Sequence, residues 1–362
     1  MRPRNLIATA LLATVLVLGT PHHASAQFYV QRNIASDGAL PADFTDPDLV
    51  NPWGLAASAT SPWWLSDNGM SLSTLYNGNT GAKQALVVIV PGSPTGIVFN
   101  TAGAGFVITN GTDSASARFI FVTEDGGIWG WNPSVLPSTD AHLALDNSGD
   151  GAVYKGLAIA TTEDGTFLYA TNFHEGTVER YDESFKRVAG GFEDPTLPPG
   201  YAPFGIQNIG GVIYVTYALQ DADRHDDVAG MGHGFVNAFD ATGTLIRRVA
   251  SRGRLNSPWG LAMAPGDFGF FSDQLLVGNF GDGLIHAFDP TKFRVDGEYQ
   301  QRGMLHSADG NPLRIDGLWA LEFGNGGSAG PTNVLFFTAG PFGEAHGLFG
   351  SLTPIAPQDK GR

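Results

Sequence analysis

A short phrase built around a glycine recurs six times along the chain: NPWGLAAS from residue 51, SPTGIVFN from 93, VYKGLAIA from 153, APFGIQNI from 202, SPWGLAMA from 257 and RIDGLWALEF from 314. Its glycines, Gly54, Gly96, Gly156, Gly205, Gly260 and Gly317, stand 42, 60, 49, 55 and 57 residues apart. The phrases lead into strand-like runs such as WWLSDNGMSLSTLYN, LYATNFHEGTVERYD and LLVGNFGDGLIHAFD: an apolar strand ending in Asn, a glycine turn, then a strand ending in an aromatic residue. Several strands per repeat at this period point to a β-propeller, because one small sheet cannot bury both faces alone but is covered by its neighbours once the repeats close around an axis. The 49 glycines and 22 prolines fit many short strands joined by tight turns. Six phrases predict an all-β, single-domain, six-bladed β-propeller over residues 27–356. The segment FYVQRNIAS, 28–36, is predicted to supply a strand to the blade begun at Gly317, closing the ring and removing its open edges.

The ends read differently. Arg2 and Arg4, an apolar run of about a dozen residues and Ala24-Ser25-Ala26 form an export signal over residues 1–26. Export to the periplasm or the medium is therefore expected, and 357–362 reads as a short polar tail. No later run has the length of a membrane span. Without the signal the charge is 18 − 35 = −17 with histidines neutral. Such a surface repels nucleic acid and anionic membranes and favours cations or basic partners. The chain has no cysteine, so its core has no disulfide support.

In a propeller, the residue before each repeat glycine should lie near the mouth of the central tunnel. These are Trp53, Thr95, Lys155, Phe204, Trp259 and Asp316. The ends of the second strands add Asn68, Glu124, Asn172, Tyr217, Asn279 and Ala339 on the same face. The fourth repeat inserts LQDADRHDDVAGMGHGF, 219–235, between its second and third strands. Tyr217 to Phe239 spans 22 residues, where Asn172 to Tyr181 and Asn279 to Phe288 span 9. Thirteen residues beyond what a hairpin needs suggest function. Asp221, Asp223, Asp226 and Asp227 offer carboxylates for Ca²⁺, with glycines to fold the backbone around it, although the spacing is not that of an EF-hand. His225 and His233 would instead suit a transition metal. The plain alternative is a solvated loop whose aspartates cap turns. DNSGDG at 146–151 imitates part of a calcium loop but lacks its last acid, and reads as a turn.

The repeats resemble the NHL type of six-bladed propeller. DPDLVNPWGLA, PWWLSDNGMSLSTLYNG, QDADRHDDVAG and SPWGLAMAP further resemble a family of exported bacterial propellers known as conserved hypothetical proteins. That resemblance implies an architecture and an export route but no activity. More distantly, the pattern is similar to gluconolactonase- and paraoxonase-type propellers, which implies a tunnel calcium polarising a lactone carbonyl. Of the Asn or Asp that such enzymes place before the repeat glycine, only Asp316 is present, and Lys155 disfavours a cation nearby.

Two readings follow. One is a binding module for a small-molecule, carbohydrate or protein ligand, with Trp53, Phe204 and Trp259 as an aromatic platform, Tyr217, Asn68, Asn172 and Asn279 beside it, and the acidic loop as a lid; the rings would otherwise simply plug the tunnel. The other is a calcium-dependent lactonase or esterase using Asp316, Glu124 and the asparagines Asn68, Asn172 and Asn279, with His225 or His233 carrying the proton. G-x-S-x-G around Ser328 lacks the strand-to-helix turn of a nucleophile elbow. His174, His286 and His346 read as structural, and WGW at 129–131 and PWW at 62–64 as packing between blades.

Overall fold

A computed structural model describes residues 28–355; the expected signal 1–26 and the tail 357–362 lie outside the described residues. Six small sheets follow one another around a tunnel. Blades 1 to 5 begin with the strands Pro52–Ala56, Pro94–Phe99, Tyr154–Thr162, Tyr201–Ile209 and Pro258–Met263, and each has four antiparallel strands. Blade 6 comprises Leu318–Phe323, Leu335–Ala339 and Leu348–Pro354, and Phe28–Ser36 pairs antiparallel with the last of these. The first strand in the sequence thus closes the ring beside the last, as the repeat required.

Most inner strands are buried along their whole length: Pro52–Ala56, Trp63–Asp67 and Leu335–Ala339 show no exposed residue. Alternation disappears because both faces of each blade are covered by neighbours. The core is accordingly a set of seams between blades. Trp64 of blade 1 stacks on Phe119 of blade 2 at 4.1 Å and lies 4.7 Å from Trp131, while Trp63 reaches Phe336 of blade 6 at 5.4 Å. Each such buried ring contributes roughly 2–3 kcal/mol by burial alone. These contacts place the two tryptophan motifs between blades.

The repeat glycine has a simple cause. The first strands of neighbouring blades meet backbone to backbone at the tunnel, so a Cβ on Gly54 would stand 2.4 Å from Thr95 O, one on Gly205 2.1 Å from Trp259 O, and one on Gly260 2.5 Å from Trp319 O. That series corrects the reading of blade 6. Gly260 meets Trp319, so the position equivalent to the repeat glycine is Ala320, not Gly317, and the residue before it is Trp319. Gly317, three residues before Ala320 and at φ +65°, packs against Gly340 of the next loop, whose N–H donates to Gly317 O at 2.8 Å. Asp316 is therefore not the residue before the close-packed position; it is exposed, its Oδ2 accepting from the Phe342 N–H at 2.8 Å.

Candidate functional site

Lys155 enters the upper mouth from the first strand of blade 3. Its side chain is 1% exposed, and a buried ammonium needs anionic partners. It donates to Glu124 from the end of the second strand of blade 2, and to Asp226 Oδ1 at 3.2 Å from the blade 4 insertion. Beneath it the Trp53 ring lies 5.1 Å from Nζ, a cation–π distance. A polar chain continues around the rim. Asn68 Nδ2 donates to Glu124 Oε2 at 2.8 Å, Asn51 Nδ2 to Asn68 Oδ1 at 3.3 Å and to Glu344 Oε2 at 2.8 Å, and Trp319 Nε1 to Asn51 Oδ1 at 3.0 Å. Burial pushes the Glu344 carboxyl up, opposed by the Asn51 hydrogen bond and reinforced by Glu124. Asn51 and Glu344 escaped the sequence reading because neither belongs to the strand positions that the repeat counts; each sits in a loop at positive φ.

Below this chain the tunnel is closed by rings. Trp53 stacks on Trp319 at 3.5 Å, Trp319 on Phe280 at 4.0 Å, and Phe204 and Trp259 meet Trp53 edge-on at 6.4 and 6.3 Å. Trp259 Nε1 donates to Lys155 O at 3.1 Å. Trp53 and Phe204 are buried, so of the two arrangements open to them, platform or plug, they form with Trp259 a plug.

The insertion folds back on itself as a small hairpin, and its four aspartates do not converge. Asp221 N–H donates to Asp226 O at 2.8 Å, and Asp221 Oδ1 accepts from His225 N–H at 2.9 Å, closing a turn at Arg224. Asp223 is exposed near the tip. Asp227 has one buried, unpartnered oxygen, and burial raises its pKa against the pull of Ser257 and Lys155. For Asp226, burial acts upward, but the Lys155 ammonium and His225 override it and hold the carboxyl below the usual range. What the structure gathers instead is Glu124, His225 and Asp226, whose ligand atoms lie within 4.8 Å of one another, with His225 Nδ1 at 2.9 Å from Asp226 Oδ1. The mixed nitrogen and oxygen set favours a transition metal over calcium. The Lys155 ammonium already pairs with both carboxylates, so the residues present do not fit a tunnel calcium.

The remaining candidates lie elsewhere. His233 Nδ1 lies 2.7 Å from Val228 O inside the insertion and does not reach the mouth cluster. Asn172 and Asn279 form turns: Asn172 Oδ1 accepts from Glu175 N–H at 3.2 Å, and Asn279 Nδ2 donates to Asp282 Oδ1 at 3.1 Å while Asn279 O accepts from Gly283 N–H at 3.0 Å. Tyr217 is buried against blade 3, its hydroxyl unpartnered at the foot of a 740 Å³ cleft between blades 3 and 4. His286 is buried with its pKa pushed down to about 4 by desolvation, so it is neutral and structural. At 146–151 a short 3-10 turn ends in Gly151 at φ +73°.

No protein-family model matches the chain. Uncharacterised protein R648 of Acanthamoeba polyphaga mimivirus is 34% identical over 337 residues, covering 88% of this chain and 78% of the relative. Protein L690 of the same virus is 34% identical over 316 residues, covering 83% and 80%. These relatives are viral, which corrects the bacterial attribution. Among solved structures, a streptogramin B lyase aligns at TM-score 0.51 with 11% identity, over 93% of this chain and 100% of that one. A protein of unknown function from Bacteroides thetaiotaomicron aligns at 0.52 with 11% identity, over 89% and 76%. At such identities the likeness shows the fold alone. A gluconolactonase from Xanthomonas campestris, at TM-score 0.40 and 16% identity, is too loosely superposed to lend its chemistry. With a third of its residues matched across most of both sequences, the chain belongs to the family of mimivirus proteins R648 and L690.

Proposed function

We propose that the protein is an exported, non-catalytic binding propeller whose upper face takes a basic protein or peptide. The observation that carries this reading is the buried Lys155 ammonium between Glu124 and Asp226. An internal cation stands where a tunnel metal would be needed, and the aromatic plug beneath it leaves no chamber for a substrate. The hydrolase reading has less support, because its one matching acid, Asp316, does not precede the close-packed position of blade 6 and accepts from the Phe342 N–H.

The face offers a surface instead. Met231 is 84% exposed on the insertion and Phe342 58% exposed on the blade 6 loop, with Val228 and Met70 also exposed on upper loops. Around them stand Asp223, Asp226 and Glu344, in a protein of net charge −15. Exposed apolar anchors inside an acidic rim fit an amphipathic, basic partner.

A random peptide library displayed on phage and selected against the purified protein tests this. Selected peptides should be rich in Lys or Arg beside an apolar residue. Their binding should fall at least ten-fold in Met231→Asp and Phe342→Asp and weaken with salt. Peptides that bind both variants as tightly as the parent would remove the upper face from the function.

A further inference from the structure

The opposite end of the tunnel carries a group that the upper-face reading leaves unused. Glu322, on the first strand of blade 6, points into the channel below the aromatic plug. There it shares the lining with Leu55, Ile97, Leu157, Leu261 and Leu321. Among the described residues the one hydrogen-bond partner of its carboxylate is Gln207 of blade 4, whose Nε2 donates to Oε2 at 3.2 Å across the channel. Above Glu322 the space shrinks to about 20 Å³, room for about one water. Below, Glu322 and Gln207 form the inner end of an open funnel of about 210 Å³ walled by Ala57, Val98, Phe99 and Ala158.

Among the described residues no cation pairs with this carboxylate. The other first strands bring no charged side chain to it, since Lys155, the one charged residue facing the tunnel from them, is engaged above the plug with Glu124 and Asp226. A carboxylate in an apolar channel without a counter-ion is costly to ionise, and burial raises the Glu322 pKa to about 7 against the Gln207 hydrogen bond. A ligand bringing its own positive charge would supply the missing partner, its apolar body filling the funnel and Gln207 Oε1 accepting a second hydrogen bond.

We infer that the lower mouth of the tunnel is a binding site for a small organic monocation, a primary ammonium or an amidinium on a short apolar body, held by Glu322 and Gln207. This site is separate from the upper face and does not depend on the reading given for it.

Titration calorimetry with n-butylammonium and benzamidinium, against their neutral counterparts n-butanol and benzamide, tests the assignment. At pH 8 at least one cation should bind saturably and its neutral counterpart should not. Lowering the pH to 5.5 protonates Glu322 and should weaken binding roughly thirty-fold, from the loss of ionised fraction around a pKa of about 7. Glu322→Gln should abolish binding while still melting cooperatively. Asp164→Asn, which removes an exposed acid from the turn between the first two strands of blade 3, should leave it unchanged. No saturable binding of either cation, equal binding of the neutral counterparts, or unchanged binding in Glu322→Gln would overturn the assignment. Because Met231 and Phe342 play no part here, a failed peptide selection on the upper face leaves this result unaffected.

Discussion

The Lys155 Nζ lies 3.2 Å from Asp226 Oδ1, a residue 71 positions further along the chain and in the next blade. The contact pins the acidic hairpin of blade 4 over the tunnel mouth and consumes the charge that would otherwise attract a cation. The opposed sides are unequal: Lys155 is almost wholly buried, whereas the Asp226 side chain is 66% exposed.

Lys155→Met should test that arrangement directly. It leaves Glu124 partly buried without its cation and should cost about 2–3 kcal/mol, less than the loss of a fully buried pair because Asp226 is solvated. It also releases Glu124, His225 and Asp226 as a ligand set. Zn²⁺ should then raise the melting temperature of the variant and not of the parent, as read by thermal denaturation with and without chelator.

Gly205→Ala should fail to reach a stable fold or lose at least about 3 kcal/mol. The added methyl would stand 2.1 Å from the Trp259 carbonyl, and neither backbone can retreat without opening the ring. Circular dichroism melts would show it, and a near-wild-type melting temperature would contradict the explanation given for the repeat.

Asp316→Ala should be nearly silent. It removes one exposed hydrogen bond to the Phe342 N–H, worth about 1 kcal/mol or less, and should alter neither calcium response nor hydrolysis of any lactone. A chelator-sensitive lactonase activity lost in this variant would restore the enzyme reading.

Asp194 joins blades 3 and 4 through Arg248, which donates from Nε at 3.1 Å, and through Asn237 at 2.9 Å. Burial works against ionisation there, but the guanidinium, Thr196 and Asn237 hold the pKa near about 2, below the ordinary 3.8. Its stabilisation is therefore present above about pH 4 and lost as the pH falls through 2. Asp194→Asn should cost about 2 kcal/mol at pH 7, and its denaturation curve should converge on that of the parent near pH 2.

Glu322 has the reverse sign. Its pKa is raised from 4.5 to about 7, so the folded protein holds a proton that the unfolded chain has released, and stability declines as the pH climbs through that interval. Glu322→Gln should be more stable than the parent at pH 8 by at most about 3 kcal/mol and equal to it below pH 4.5, measured by urea denaturation without added amines.

How much of this was legible in advance depends on how local each cause is. The glycine phrase reports one close approach per blade, between first strands, so blade number, ring closure by 28–36 and the face carrying the insertion could be read from it. Blade 6 misled because Gly317 serves a turn at positive φ while Ala320 fills the close-packed position. A glycine whose missing Cβ admits the next blade's first strand and one that admits a loop of its own blade look identical in a string of letters. Lys155 was visible as an awkward residue for a calcium site, but not its partners. Asn51, Glu344 and Trp319 carried no mark that set them apart from turn and strand residues elsewhere.

The sequence by itself determined the architecture, because each blade writes the same short-range packing requirement into its own stretch of chain. Only the tertiary structure decided the chemistry of the two tunnel mouths. Lys155 with Glu124 and Asp226 above, and Glu322 with Gln207 below, are meetings of side chains from different blades. The charge state and burial of each group are set by neighbours that closure of the ring supplies.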